Sequence, residues 1–170
     1  IGALDLDTLL QKVVKILADF NRSERAAFFL YDEKFKALVM RAAFNHPPEF
    51  RFNAFYEIVS NDNEKKIGLT AFAFKKQKIL VFNSSEEIKS HSAHRGKYIN
   101  NKYRDRETDC HSLLCIPLGI NHEKSIGVLK IENTLEQKIP QKFSDQDVKY
   151  FNLLANIISK AINNFKDQSI

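Results

Sequence analysis

Glycine is scarce in this chain, with Gly2, Gly68, Gly96, Gly119 and Gly127 the only five among 170 residues. A loop that cradles phosphate on its backbone N–H groups needs several glycines close together, and neither G-x-x-x-x-G-K-[ST] nor G-x-G-x-x-G occurs. The common nucleotide-phosphate loops are therefore excluded. Two cysteines, Cys110 and Cys115, are too few for a disulfide framework and fit a reducing, cytoplasmic setting. No apolar run approaches the roughly 18 residues that span a bilayer. No basic segment followed by an apolar core marks a signal peptide. The chain opens on Ile1 rather than Met, so the expectation is a segment cut from a longer protein. No G-x-S-x-G, H-E-x-x-H or His-Asp pair is present, which leaves hydrolytic chemistry without a nucleophile or metal centre.

What is present builds a core. Apolar residues make up 44% and charged residues 28%, the balance of a folded domain of ordinary size. The formal net charge of +5 is local. Residues 88–106 hold Lys89, Arg95, Lys97, Lys102, Arg104 and Arg106 against Asp105 alone, which accounts for the whole excess. The rest of the chain is neutral, and this argues against nucleic acid as the partner. A small anion is the expected target of so local a charge. A solvated loop with ordinary charges is the alternative.

The hydrophobic pattern reads as follows. Residues 4–20 repeat apolar side chains at three- and four-residue steps, which predicts a helix. Residues 25–31 and 36–44 form a hairpin around Asp32-Glu33-Lys34, ended by His46-Pro47-Pro48. Residues 50–60 are a strand or an irregular lead-in, 68–76 a short helix and 78–82 an extended segment. The long polar stretch 83–111 carries a helical turn near 86–91. The strongest hairpin signal joins 112–120 to 126–132. Ser144 and Asp147 then make a shortened capping box for a final helix, 144–166. That helix bears two apolar stripes, one of them Val148, Phe151, Ala155, Ile158, Ile162 and Phe165. Two stripes mean a helix packed on both sides or deeply buried. Helix, hairpin, small helix, hairpin and helix in that order predict an α+β domain on an antiparallel sheet.

Ser112-Leu113-Leu114-Cys115-Ile116-Pro117-Leu118, a turn, and Ile126-Gly127-Val128-Leu129-Lys130-Ile131-Glu132-Asn133 resemble the signature hairpin of GAF domains. Residues 67–74 followed by 79–83 resemble the family's sequence of glycine, short helix and extended strand, and Phe143-Ser144-Asp145-Gln146-Asp147 resembles its close. The resemblance covers nearly all of 1–170 as one domain: a first helix at 4–20, the sheet and pocket region at 25–132 and the last helix at 144–166. It implies a five- or six-stranded antiparallel sheet. The terminal helices would pack on one face, and short helices and loops would close a pocket on the other.

The resemblance also implies a non-catalytic regulatory module of a cytoplasmic signalling protein. Its output domain would be a kinase, cyclase, phosphodiesterase or transcription factor. It would bind a small ligand, with no fixed cofactor, and form a homodimer through its terminal helices, for which Phe151, Ile158 and Ile162 are the expected contacts. Cyclic-nucleotide-binding members carry an Asn-Lys…Phe-x-x-x-Asp-Glu pattern. Asn133, Phe143 and Asp147 match it, whereas Thr134 and Val148 depart from it. The local alternative is that Asn133 ends a strand, Phe143 is a hydrophobic staple and Asp147 caps a helix. Asp105-x-x-Thr108 and Leu114-Cys115-x-Pro117 resemble a phosphodiesterase-type step with a shorter spacing.

Cys110-His111 is the dipeptide that carries bilin elsewhere in the family, but here it abuts the Ser112 strand instead of lying a helix earlier. The family's methionine sulfoxide reductases need cysteines in the segment 68–74, which has none. His91, His94, Cys110 and His111 lack a recognised metal-ligand spacing and read as surface groups. The family closes its pocket with the segment corresponding to 83–111. There Arg95 or Arg104 would serve as anion donor, Tyr98 or Tyr103 as a stacking face and Asn101 as a polar contact. Phe74, Asn83, Thr108 and Cys115 complete the implied lining. The rival expectation, a relay module without ligand, has the pocket filled by its own phenylalanines, eleven of 14 of which lie in 20–82.

Overall fold

The computed structural model describes residues 5–46, 52, 55–58, 66–95, 110–119, 124–136 and 139–167. Helix α1 (Leu6–Phe20) leads into strands β1 (Ser23–Asp32), β2 (Ala37–Phe44) and β3 (Phe55–Glu57). Helix α2 (Leu69–Lys76), strand β4 (Leu80–Phe82) and helix α3 (Ser85–Ser90) follow. Strands β5 (Leu113–Leu118), β6 (Gly127–Glu136) and β7 (Ile139–Pro140) precede the closing helix α4 (Asp145–Asp167). Six strands lie side by side in the order β3-β2-β1-β6-β5-β4, and β7 adds to the far end of β6. Every pairing is antiparallel.

Strands β1 and β6 run through the centre of the sheet and are covered on both faces. Alternation then sorts their side chains. Phe28, Leu30, Leu114, Ile116, Leu129 and Ile131 meet Leu10, Val14 and Leu17 of α1 and Phe151, Ala155, Ile158 and Ile162 of α4. Ala27, Phe29, Leu38, Met40, Leu113, Cys115 and Val128 point the other way, toward α2. Gly127 permits the close pairing of β6 with β1. A Cβ at this position would stand 2.2 Å from the Phe29 carbonyl oxygen.

The helix ends are set by local chemistry. Asp5 caps α1 by accepting from Thr8 N at 2.7 Å. At α4, Ser144 Oγ accepts from Asp147 N at 3.1 Å while Asp147 Oδ2 accepts from Ser144 N at 2.7 Å, the reciprocal box read from the sequence. A register shift between Phe28 and Phe29 frees Arg41 from the ladder and lets it pair with Asp7 of α1 at 2.7 Å. Beside it, Gln11 Nε2 donates to Ala43 O at 2.7 Å and Gln11 Oε1 accepts from Ala43 N at 3.1 Å, docking α1 along β2.

Two expectations change. Strand β6 does not stop at Asn133, which adopts φ 55° within the strand and is fully buried. Its backbone N–H still donates to Ser112 O at 2.9 Å, so the left-handed residue stays tied to the neighbouring chain. Phe151, Ile158 and Ile162, expected at a dimer contact, are 0%, 8% and 0% exposed within the protomer. They belong to the sheet-facing stripe, so they offer no surface to a second copy. On the terminal helices the large apolar residues left outward, among those described, are Ile16 and Phe20 on α1 and Leu153 and Ile157 on α4.

Candidate functional site

The α2 face of the sheet is not uniformly apolar. Arg25, Glu132 and Leu113 are direct cross-strand neighbours, and so are Ala27, Lys130 and Cys115 one pair further along. Lys130 Nζ lies 2.9 Å from Glu132 Oε1, and Arg25 Nε lies 3.2 Å from Glu132 Oε2. The Glu132 side chain is 4% exposed. Burial by itself would raise its carboxyl, but Lys130 and Arg25 outweigh that and hold it down to about 2. Burial pushes His46, which feels Glu132, Lys130 and Arg25, down to about 4.

The polar line continues toward α2. Burial raises the Cys115 thiol to about 12 and the Cys110 thiol likewise to about 12, so both keep their protons. Thr70, in the first turn of α2 and 1% exposed, turns its hydroxyl toward the Cys115 sulfur, a weak acceptor at best, and makes no hydrogen bond to nitrogen or oxygen. Beyond it, α2 begins at Gly68 with φ +95°, where a Cβ would meet the Tyr56 ring at 2.9 Å. Arg95 Nε donates to Ile67 O at 3.0 Å, and its guanidinium lies 5.2 Å from the centre of that same ring. Around this line the face is packed with aromatic side chains. Phe29 meets Tyr56 edge-on at 5.3 Å, and Tyr31 stacks on Phe74 at 5.1 Å.

The residues expected to bind ligand divide accordingly. Arg95, Cys115 and Phe74 do lie on this face. Phe74 is part of the apolar packing. Asn83 does not line the face: it is a clasp on the chain itself. Its Oδ1 accepts from Phe143 N at 2.7 Å and its Nδ2 donates to Phe143 O at 3.3 Å. Tyr98, Asn101, Tyr103, Arg104 and Thr108 lie outside the described residues. Of the motif residues, Asn133 Oδ1 accepts from His111 N at 2.9 Å while its Nδ2 donates to Glu24 Oε2 at 2.8 Å. Phe143 is buried against the α1 and α4 core, and Asp147 is engaged by Ser144. All three positions are occupied by local structure. Among the described residues no three His, Cys, Asp or Glu side chains converge as a metal site.

Arg25, Lys130, Glu132, His46 and Thr70 were not singled out in the sequence. A signal existed in β6, where Lys130 and Glu132 alternate with Leu129 and Ile131. On a sheet open to water that alternation is ordinary. On a sheet covered on both faces it places charges indoors.

The chain belongs to the GAF domain family, whose family model matches residues 3–163. No curated protein matches its sequence. The GAF domain of a phosphoenolpyruvate-protein phosphotransferase from Coxiella burnetii aligns with TM-score 0.76 and 18% identity, over 99% of this chain and 88% of that one. The corresponding domain from Acinetobacter gives TM-score 0.74 and 18% identity over the same shares. The free methionine-R-sulfoxide reductase of Neisseria meningitidis, solved with its substrate, gives TM-score 0.71 and 17% identity over 99% of this chain and 84% of that one. At such identities the likeness shows the fold alone, and the fold occurs both as a domain of larger proteins and as a reductase.

Proposed function

We propose that this GAF domain is a non-catalytic regulatory module of a larger signalling protein, and that it binds a small anion against the α2 face of its sheet. The observation that carries the reading is the buried group Arg25–Glu132–Lys130 on an otherwise apolar face. Charges taken out of water are a costly way to stabilise a fold, and they concentrate where a site needs them. Arg95, held at the edge of the same face by Ile67 and Tyr56, adds a donor suited to carboxylate or phosphate. A non-catalytic role agrees with two thiols kept protonated by burial. Self-association through the outward apolar residues Ile16, Phe20, Leu153 and Ile157 of α1 and α4 would carry the signal to a flanking output domain.

The test is a thermal-shift series with cyclic nucleotides, nucleoside monophosphates and small mono- and dicarboxylates at constant ionic strength. At least one is expected to stabilise the fold, by about 2.7 kcal/mol at a hundredfold excess over Kd, and so to raise the unfolding temperature. The absence of any shift would overturn the reading. It would favour a relay module without ligand, for which the aromatic packing of Phe29, Tyr31, Tyr56 and Phe74 speaks.

A further inference from the structure

The Thr70 hydroxyl poses a separate problem. It is 1% exposed, it sits in the first turn of a helix pressed on the sheet, and no nitrogen or oxygen accepts from it or donates to it. A buried polar group without a partner is destabilising, and valine would fill the same volume without that cost. Its neighbours share one character. Cys115, fully buried beneath α2, presents a protonated thiol. Lys130 is the cross-strand partner of Cys115 on the same face and presents an ammonium. A hydroxyl, a thiol and an ammonium can all donate, and the Glu132 carboxylate beside Lys130 is already bracketed by Lys130 and Arg25.

We propose that Thr70 Oγ1 is a ligand-facing donor, and that with Cys115 Sγ and Lys130 Nζ it receives the oxyanion end, a carboxylate or phosphate oxygen, of the small anion bound on this face. The proposal rests on the anion-binding reading of the face and adds the atoms that hold the charged end. The unsatisfied hydroxyl is then a donor held in advance, whose hydrogen bond forms only when ligand arrives. It also assigns α2 a part in the response, because the group that gains a partner belongs to the helix and not to the sheet.

The experiment compares the wild-type domain with Thr70→Val and Thr70→Ser. It records unfolding temperature without added anion, and NMR titrations with sodium acetate and with sodium phosphate, each against sodium chloride at equal ionic strength. Thr70→Val is expected to be at least as stable as wild type without anion, and to bind the preferred anion about tenfold more weakly. That factor is the usual worth of one hydrogen bond. Thr70→Ser should keep wild-type affinity. The acetate and phosphate arms tell which oxyanion the site prefers. Equal affinity of wild type and Thr70→Val would overturn the role of Thr70 while leaving the anion site standing. A Thr70→Val protein less stable than wild type without anion would likewise overturn it, since the hydroxyl would then have a structural partner. Failure of both anions to bind wild type would remove the anion site itself and this inference with it.

Discussion

The two faces of this sheet are made from alternate residues of the same strands, yet they bury different chemistry. Toward α1 and α4 the sheet presents Phe28, Leu30, Leu114, Ile116, Leu129 and Ile131, and the buried Ser159 of α4 is satisfied by Ala155 O at 2.6 Å. Toward α2 it presents Phe29, Met40, Leu113 and Val128, but also Arg25, Lys130 and Glu132. Ile131 and Glu132 are adjacent in sequence and 0% and 3% exposed. One completes a hydrophobic layer and the other brings a carboxylate indoors. The first face is built of the apolar packing that folding requires. The second buries an ion group that apolar packing alone would not call for, and the proposed anion site rests on that difference.

The comparison can be broken most forcefully at those two neighbours. Glu132→Ala leaves Arg25 and Lys130 without their shared carboxylate and is expected to cost about 3–5 kcal/mol by denaturant unfolding. Ile131→Ala should cost about 2–5 kcal/mol through the cavity it leaves. The two losses differ in rescue: removing the cations should recover the first and leave the second unchanged. Recovery of neither, or of both, would erase the distinction between the faces.

Acid provides a second separation. His46 titrates near 6.5 when unfolded and about 4 when folded, so below pH 6.5 the unfolded chain binds the extra proton and stability falls until about pH 4. Glu132 titrates near 4.5 unfolded and about 2 folded, so the stability it contributes above pH 4.5 is lost as pH drops toward 2. The stability–pH curve should therefore decline in two steps. His46→Gln should flatten the first step alone, and a curve unchanged by that substitution would contradict the desolvation of His46.

Smaller effects belong to the helix side. Ser144→Ala removes the cap of α4 and should cost about 1 kcal/mol by denaturant unfolding. Leu153→Glu with Ile157→Glu lies on the outward surface and should change unfolding stability by no more than about 0.5 kcal/mol each. Sedimentation should nevertheless shift toward monomer. A stable double variant with an unaltered sedimentation profile would remove the outer faces of α1 and α4 from self-association.

The helix side was also the legible side. Three-and-four spacing marked α1 and α4, and Ser144 with Asp147 marked where α4 begins. The hairpins β1–β2 and β5–β6 followed from apolar runs around polar turns. What the pattern could not do was assign the two stripes of α4. Phe151, Ile158 and Ile162 have the heptad rhythm of a partner contact, but the sheet takes them, because a helix face meets whatever surface lies beside it. Asn83 was illegible for a related reason. A polar residue after a strand reads equally as ligand contact or as clasp, and the 2.7 Å bond from Phe143 N shows it here as a clasp. The α2 face stayed hidden because it is assembled across the sheet: Arg25 and Glu132 are far apart in sequence and become partners through the β1–β6 register.

The most direct test of the central claim needs no ligand. The unfolding free energy of the triple variant Arg25→Met, Lys130→Met, Glu132→Leu is compared with that of wild type at pH 7. If the buried charges are kept for binding, exchanging all three for apolar side chains of similar size should leave stability unchanged or raise it by about 1–4 kcal/mol. A loss of several kcal/mol would show that the group holds the fold together, and would contradict the assignment of function to this face.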